Sequence, residues 1–280
     1  MLGRIRDFTR KLRAGADAAI RSEHLLRQVL QARIMAEIRA TPRFSEPKRL
    51  LRHSYKVFSQ NQEDGMVAEV FERIGTGSRR FVEFGVQDGL ECNSTFLLMR
   101  GWSGAWIEGS AVDAARAKAA FASYPVEVVN DFVTVENADA LISLLAGGEE
   151  LDLLSIDVDT IDYWLWKAIV SVRPRLVVIE YNASWPPFLR KTVAHDPGMD
   201  WDGTNYSGAS LGALEALGRA KGYCLVGCSL AGVNAFFVRE DLVGDHFCAP
   251  FTAENHYEPP RYELAGPVGH RAGMGVWIDV

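Results

Sequence analysis

Short apolar segments alternate with stretches of helical spacing from Ser59 onward. The apolar segments predict five strands, at residues 80–84, 104–107, 126–129, 151–156 and 175–181. The helical spacing predicts helices around and between them, at residues 65–74, 94–100, 112–123, 138–145 and 163–172. Strands that are apolar throughout and alternate with helices are typical of a mostly parallel sheet that is covered on both faces.

The end of this series predicts a change of strand direction. A helix over residues 209–221 leads into a strand at 223–226, and residues 227–232 alone separate that strand from the last one, at 233–238. So short a link cannot make a parallel crossover, so we expect the last two strands to be antiparallel. The predicted fold class is α/β: a doubly wound, seven-stranded, mostly parallel sheet with an antiparallel last strand.

Residues 1–40 have a different character. Good helix formers without an internal proline predict a helical arm, and Pro42 to Pro47 marks a linker. Apolar residues recur at helical spacing in two stretches: Leu2, Ile5, Phe8 and Leu12, then Ile20, Leu26, Val29 or Leu30, Ile34 and Ile38. Such an arm can pack on its own body or on a second subunit, or it can lie on a membrane surface.

Composition and charge narrow the class of protein. The chain is 48% hydrophobic and 24% charged, as globular proteins are, and it has no apolar run of the ~18–20 residues that span a bilayer. The N-terminus lacks the continuous apolar stretch of a secretory signal, so we expect a cytoplasmic protein. The four cysteines form no CxxC pair, and we assign them no metal or redox role: Cys92, Cys224, Cys228 and Cys248.

The turn after the first strand predicts a nucleotide-type ligand. Its sequence runs from Phe81 to Gly89, and Gly85 and Gly89 let the backbone turn sharply and approach a ligand. Glu83 can receive an ammonium group or order the loop through hydrogen bonds. Glu108, 23 residues after Gly85, can bind both hydroxyls of a ribose.

Two cofactors remain possible for this loop. Glu108 would serve NAD as well as S-adenosyl-L-methionine, but the glycine spacing departs from GxGxxG and Asp88 puts a negative charge where a pyrophosphate would bind. Adenosylmethionine carries a sulfonium cation and no phosphate, so the loop favours it. After the third strand, Asn130 and Asp131 can bind the adenine edge, or they simply form a turn.

Acidic residues follow the fourth and fifth strands. Asp157 and Asp159 follow one strand, and Glu180 and Asn182 follow the other. If these strands are neighbours, the four side chains form an all-oxygen set suited to Mg²⁺ or another divalent cation, with Asp157 as a catalytic residue. The alternative is that the same side chains order loops and contact the substrate without a metal.

The long segment from 183 to 207 predicts a functional loop, since compact domains rarely keep a structureless loop of this length. Aromatic and basic side chains suit an acidic sugar, and the predicted substrate-binding residues are Trp185, Arg190, Lys191, Trp201 and Tyr206. His195 is the candidate general base outside the carboxylates. A loop histidine is also commonly a plain surface residue.

Five stretches of the sequence together resemble the FkbM-type branch of class I S-adenosylmethionine-dependent methyltransferases. They span roughly residues 55–240: Ser59 to Gly65, Phe81 to Gly89, Trp106 to Gly109, Ser155 to Asp159 and Val178 to Asn182. The resemblance implies O-methylation of a hydroxyl on a sugar, glycan or secondary metabolite. One departure is Asp159-Thr160, where such proteins often have an acidic residue followed by glycine.

The arm and the resemblance together predict the organisation of the chain. Residues 1–56 hold 14 Lys and Arg against 5 Asp and Glu, a net charge of +9, whereas the remainder holds 16 against 31, a net charge of −15. We predict a basic arm with its linker at 1–52, a catalytic methyltransferase domain at 53–245 and an extension packed on it at 246–280. An acidic body disfavours nucleic acid as a partner. We expect a homo-oligomer.

Two other functions stay open. A binding or scaffold protein can keep the fold without turnover. An NAD-linked oxidoreductase would require a sixth parallel strand.

Overall fold

The computed structural model describes residues 2–196, 201–264 and 272–275, without the side chains of residues 2–10, 12, 14 and 263. It divides into two compact units, residues 1–45 and 46–280.

The N-terminal unit consists of helix α1 (Leu2–Arg39) and the short helix α2 (Pro42–Ser45). Pairs of opposite charge one turn apart stabilise the surface of α1, such as Arg33 with Glu37 at 3.0 Å. Apolar side chains are exposed along it, including Leu26, which is 70% exposed. The predicted apolar face of Leu2, Ile5, Phe8 and Leu12 lies outside the described side chains. Among the described residues no helix is long and apolar enough to cross a membrane.

The second unit is built on one seven-stranded sheet, in the order β3-β2-β1-β4-β5-β7-β6. Its strands are β1 (Arg80–Phe84), β2 (Ser103–Glu108), β3 (Val126–Asn130), β4 (Leu153–Ile156), β5 (Leu176–Glu180), β6 (Tyr223–Cys228) and β7 (Asn234–Arg239). The first five strands pair in parallel, and β7 runs antiparallel between β5 and β6. This confirms the predicted fold class, and the described part of the chain has no sixth parallel strand of the kind that a dehydrogenase would require.

Helices cover both faces of this sheet. They are α3 (Glu63–Ile74), α4 (Thr95–Met99), α5 (Ala111–Ala120), α6 (Ala138–Ala146), α7 (Asp162–Ala168), α8 (Leu211–Ala220), α9 (Glu240–Val243) and α10 (Ala253–His256), with 3₁₀ helices at Leu51–His53 and Tyr262–Leu264. One core joins α6, α7 and α8 to the face of Val82 and Ile156. The other joins α3, α4 and α5 to the face of Phe81 and Leu153. Burial on both faces explains why the strands are apolar throughout.

The structural boundary between the units lies before the predicted one at residue 52. Leu50 is 1% exposed and belongs to the core beside α3. Arg73 of α3 donates hydrogen bonds to the carbonyl oxygens of Lys48 and Pro47. Residues 46–52 are thus fixed to the body by burial and hydrogen bonds, although the stretch from Pro42 to Pro47 resembles a linker in the sequence.

The side chains of the sheet change from apolar to polar where the parallel strands reach their C-terminal ends, which we call the carboxyl edge. Ser155 of β4 lies opposite Glu83 on β1 and Val178 on β5. Asp157 and Glu180 come two residues further along their strands and therefore project from the same face, because side chains alternate along a strand. This edge holds the candidate functional site.

Candidate functional site

The turn after β1 has the tight geometry that its glycines predict. Gly85 and Gly89 have φ angles of +74° and +82°, which glycine adopts at no steric cost. A Cβ on Gly85 would lie 1.7 Å from the carbonyl oxygen of Asp157, and a Cβ on Gly89 would lie 2.6 Å from the ring of Trp106. Both glycines are therefore required by the packing of the protein itself, and the loop lies against the end of β4.

Glu83 orders the loop. Its carboxylate accepts four hydrogen bonds: from the backbone N–H of Asn93 and of Ser94, both at 2.9 Å, and from the hydroxyls of Ser94 at 2.5 Å and Ser155 at 3.1 Å. The side chain is buried, and burial raises its pKa while these hydrogen bonds lower it. Of the two sequence alternatives, this geometry favours loop ordering over direct contact with a cofactor ammonium group.

Glu108 connects the loop at residues 85–89, which we call the cofactor loop, to the start of α5. One carboxylate oxygen accepts a 2.7 Å hydrogen bond from the backbone N–H of Gln87, and the other accepts one of 2.7 Å from Ser110. Each oxygen keeps a second lone pair, since a carboxylate has about four acceptor positions. Glu108 is thus held at the end of β2 and can still accept hydrogen bonds from two ribose hydroxyls.

The residues after β3 lie on the same side of the sheet as Glu108. The Asn130 side chain donates hydrogen bonds to the carbonyl oxygens of Glu108, at 2.8 Å, and Gly109. Asp131 is exposed and accepts a hydrogen bond from the N–H of Phe132. The ring of Phe132 is 63% exposed and lies over Gly109, where a Cβ would come within 2.7 Å of it. An exposed aromatic face beside a predicted ribose position suits an adenine ring.

Three of the four predicted metal ligands converge. One carboxylate oxygen from each of Asp157, Asp159 and Glu180 lies within 4.8 Å of the others. β4 and β5 are neighbours in the sheet, which is what the prediction required. Asp159 has a φ of +69°, so the turn that lacks the family's glycine uses the left-handed conformation at the aspartate itself.

Burial raises the pKa of all three carboxylates, and neighbouring negative charges add to this at Asp157 and Glu180. Burial is the main cause at Asp157, followed by the charges of Asp162 and Asp159, and its pKa lies well above the usual range. Burial likewise raises the pKa of Glu180 well above its usual value, with Asp157 as the next cause. Negative charges so close together favour either a proton or a bound cation.

Asp162 belongs to this group, although the sequence analysis did not identify it. It is buried at the first position of α7, and burial raises its pKa to about 7. Its Oδ1 accepts a hydrogen bond of 2.9 Å from the N–H of Val158, whereas its Oδ2 is buried and has no hydrogen-bond partner among the described residues. In the sequence an aspartate at a helix start is typical of ordinary capping, so only the fold distinguishes it.

Asn182, the fourth predicted ligand, has other partners. Its amide group donates hydrogen bonds to the carbonyl oxygens of Asn205, at 2.8 Å, and Ser207, at 2.9 Å, and its side-chain oxygen accepts one from the N–H of Ser184. Asn182 therefore holds the two ends of the long loop together. The geometry favours this role over the predicted role as a metal ligand.

The stretch from Ser59 to Gly65 folds against this edge and has a structural role. Asp64 accepts hydrogen bonds from the backbone N–H groups of residues 57, 58 and 59, at 2.6, 2.7 and 2.9 Å.

Glu63 is buried and accepts a 2.9 Å hydrogen bond from Asn234, which lies opposite Glu180 in the sheet. Burial raises the pKa of Glu63 to about 6. A Cβ on Gly65 would lie 2.0 Å from the carbonyl oxygen of His53.

The predicted substrate-binding residues are exposed on the long loop. They are Trp185, Arg190, Lys191, Trp201 and Tyr206. His195 is exposed as well, and its ring lies 6.0 Å from that of Trp164 on α7. The charges that act on Asp157 come from carboxylates. The role of His195 as a base stays a prediction, as do those of the loop residues.

Comparison with known proteins gives similarity of fold only. No family model matches the chain, and no curated protein matches it. Among solved structures, the N-terminal domain of EvdMO1 with SAH bound is 15% identical over 76% of this chain and 94% of that one, with a TM-score of 0.42. A putative O-methyltransferase from Klebsiella pneumoniae is 18% identical over 74% and 94%, with a TM-score of 0.39. Cofactor-bound Rv0187 from MTB is 20% identical over 66% and 82%, with a TM-score of 0.41. At these identities and TM-scores the similarity assigns neither activity nor substrate.

Proposed function

We propose that this chain is an S-adenosyl-L-methionine-dependent O-methyltransferase that acts on a hydroxyl of a sugar, glycan or secondary metabolite. The observation that carries the proposal is the contact of Gly85 with the carbonyl oxygen of Asp157, which brings the cofactor loop and the carboxylate cluster together at one edge of the sheet. In open parallel sheets, ligands bind beyond this carboxyl edge, where the strand order reverses. Here the order reverses between β1 and β4.

The cofactor side of this edge suits adenosylmethionine. Glu108 would accept hydrogen bonds from the ribose hydroxyls, and Asn130, Asp131 and Phe132 would lie near the adenine. Glu83, Asp88 and Glu108 make the surroundings acidic, which suits the sulfonium cation and disfavours a pyrophosphate. The antiparallel β7 agrees with this assignment and disagrees with an NAD-linked oxidoreductase.

The acceptor side of this edge fits a divalent cation. Asp157, Asp159 and Glu180 offer oxygen ligands, which Mg²⁺ and Ca²⁺ prefer. The buried Oδ2 of Asp162, which has no hydrogen-bond partner among the described residues, independently supports a cation in this region. A cation bound here would lower the pKa of an acceptor hydroxyl.

Methyl transfer at this edge is an in-line displacement. The acceptor oxygen forms a bond to the methyl carbon while the carbon–sulfur bond breaks, and its electron pair stays on sulfur to give S-adenosylhomocysteine. The hydroxyl proton passes to a base. Asp157 is suited to this task, because burial and the neighbouring carboxylates raise its pKa and so make it a stronger base than an ordinary aspartate. Holding the three atoms in line is the larger part of such catalysis.

Calorimetry with adenosylmethionine, with and without Mg²⁺, tests the cofactor assignment. We expect the wild type to bind the cofactor, and absence of binding would refute the proposal. A radiolabelled methyl group would then be followed into a panel of methyl glycosides, with and without EDTA. Methyl transfer that survives EDTA would exclude a catalytic role for the cation. Tight cofactor binding without methyl transfer to any acceptor would favour a binding or scaffold protein.

A further inference from the structure

A segment near the C-terminus runs along the carboxyl edge of the sheet. We call residues 253–264 the strap; it begins with α10 and ends with the 3₁₀ helix Tyr262–Leu264. It lies outside the stretch that carries the family resemblance. Four of its residues, Ala253, His256, Glu258 and Leu264, are buried, so the strap is part of the packed body.

The strap is fastened to the chain just beyond β5. The Tyr181 hydroxyl donates a 2.6 Å hydrogen bond to the carbonyl oxygen of Glu258 in the strap. In return the hydroxyl of Tyr257 donates one of 2.6 Å to the carbonyl oxygen of Ala183. These two bonds lie on either side of Asn182, directly after the candidate ligand Glu180.

The strap is also fastened to the turn between β6 and β7. The backbone N–H of Arg261 donates a 2.8 Å hydrogen bond to the carbonyl oxygen of Ala231, and its guanidinium donates one of 3.0 Å to that of Leu230. A Cβ on Gly232 would lie 2.4 Å from the carbonyl oxygen of Pro259, so the two backbones touch. Residues 257–261 are thereby fixed at both ends.

Tyr262 follows directly after this fixed stretch. Its side chain is 58% exposed. The bonds of the strap to Tyr181, Ala183 and Ala231 place it beyond the end of β5, where Glu180 is the last residue. The neighbouring carboxylates can only accept hydrogen bonds when ionised, whereas a phenol also donates them. A tyrosine ring also offers an apolar face to a sugar ring. Tyr262 would thus add a donor and an aromatic face beside Glu180.

We propose that Tyr262 contacts the methyl acceptor, so that the strap forms one wall of the acceptor site next to Glu180. The inference rests on the proposed function and adds to it a specificity-determining residue from outside the region that resembles the family. The bonds that fix the strap to the chain after β5 and to the turn between β6 and β7 would then hold this wall in place.

Methyl transfer to the methyl glycoside panel gives the first test, with Tyr262→Phe and Tyr262→Ala. We expect the acceptor KM to rise about 10-fold in Tyr262→Phe, the usual effect of one lost hydrogen bond, and further in Tyr262→Ala. The Kd for adenosylmethionine should stay unchanged. Tyr124→Phe is the matched control, because Tyr124 lies at the opposite edge of the sheet, before β3, and donates its hydroxyl to Gly275.

Terbium luminescence gives a second test that needs no acceptor. Tb³⁺ occupies oxygen-ligand sites of the calcium type, and nearby aromatic rings sensitise its emission. We expect Tyr262→Phe to lower the sensitised emission while the Tb³⁺ affinity stays the same, and Tyr124→Phe to change neither. Wild-type levels of both readouts in Tyr262→Phe would overturn this inference alone. A wild type that neither methylates glycosides nor binds Tb³⁺ would overturn the proposed function and this inference with it.

Discussion

The Cα of Gly85 faces the carbonyl oxygen of Asp157 so closely that a Cβ would come within 1.7 Å of it. The glycine that turns the cofactor loop is therefore also the point where that loop rests on the end of β4. The distance between the two halves of the candidate site is thus set by a backbone contact, which side-chain rearrangement cannot relax.

Gly85→Ala tests this contact. The added methyl group clashes with a backbone atom at a φ of +74°, so we expect the free energy of unfolding to fall by about 3 kcal/mol or more. Denaturant unfolding measures the loss. Gly101→Ala is the control, because Gly101 has a similar φ of +77° but no atom within 4 Å of its Cβ position, so it should lose only about 1 kcal/mol. Equal losses in both variants would exclude a contribution from the contact.

Glu108→Ala tests the ribose assignment. We expect adenosylmethionine to bind about 10- to 100-fold more weakly, because a carboxylate that accepts charge-assisted hydrogen bonds contributes roughly 1.5–3 kcal/mol. Calorimetry measures the Kd. Because Glu108 also accepts hydrogen bonds from Gln87 and Ser110, the unfolding of each variant must be measured beside binding. Glu127→Gln, on the exposed side of β3, should bind as the wild type does. Unchanged affinity in Glu108→Ala would remove this residue from the cofactor site.

Much of the fold could be predicted because burial dictates the sequence of this sheet. The strand predicted at 80–84 has those bounds in the structure, and the short link after β6 correctly predicted an antiparallel β7. The local sequence pattern gave a wrong prediction for the segment before α3. The stretch from Pro42 to Pro47 predicted a linker, yet Leu50, three residues further on, is a core residue.

From the sequence, the candidate site could be predicted only where polar residues follow the ends of predicted strands. Asp157 and Glu180 converge because β4 and β5 are neighbours, which the order of elements implied. Asn182 could not be distinguished from a ligand in the sequence, because its partners, Asn205 and Ser207, come from the far end of the loop. Tyr262 had no local signal at all, since only the tertiary fold brings the strap to this edge.

Asp162→Asn should make the cation-free protein more stable at high pH. Burial raises the pKa of Asp162 from 3.8 to about 7 in the folded protein, so the native state retains a proton that the unfolded state has lost. The contribution of protonated Asp162 to the free energy of unfolding is therefore fully present below about pH 4 and is lost as the pH rises through about 7. Removing the charge should raise the free energy of unfolding at pH 8 by roughly 1–3 kcal/mol.

Denaturant unfolding at both ends of this pH range measures the effect. The gain from Asp162→Asn should vanish at acidic pH, where the wild-type carboxyl is already protonated. Asp139→Asn is the control with the opposite sign: at Asp139 the hydrogen bonds from the N–H groups of Ser171 and Val170 outweigh burial and lower the pKa. That variant should lose stability above the normal pKa of aspartate. A gain from Asp162→Asn that does not depend on pH would contradict the electrostatic explanation.

Asp159→Asn tests the cation site with little disturbance of the backbone. Asparagine accepts the left-handed conformation that Asp159 has at φ +69°, so the turn should keep its shape while one charged ligand is lost. In the wild type we expect Mg²⁺ or Ca²⁺ to raise the melting temperature at pH 8, because a cation that binds only the folded state stabilises it and relieves the repulsion among Asp157, Asp159 and Glu180. The variant should need about 10-fold more cation for the same shift. Asp17→Asn on α1 changes the net charge equally and should respond as the wild type does. If the wild type itself shows no shift with either cation, the carboxylates act without a metal and Asp157 remains as the base.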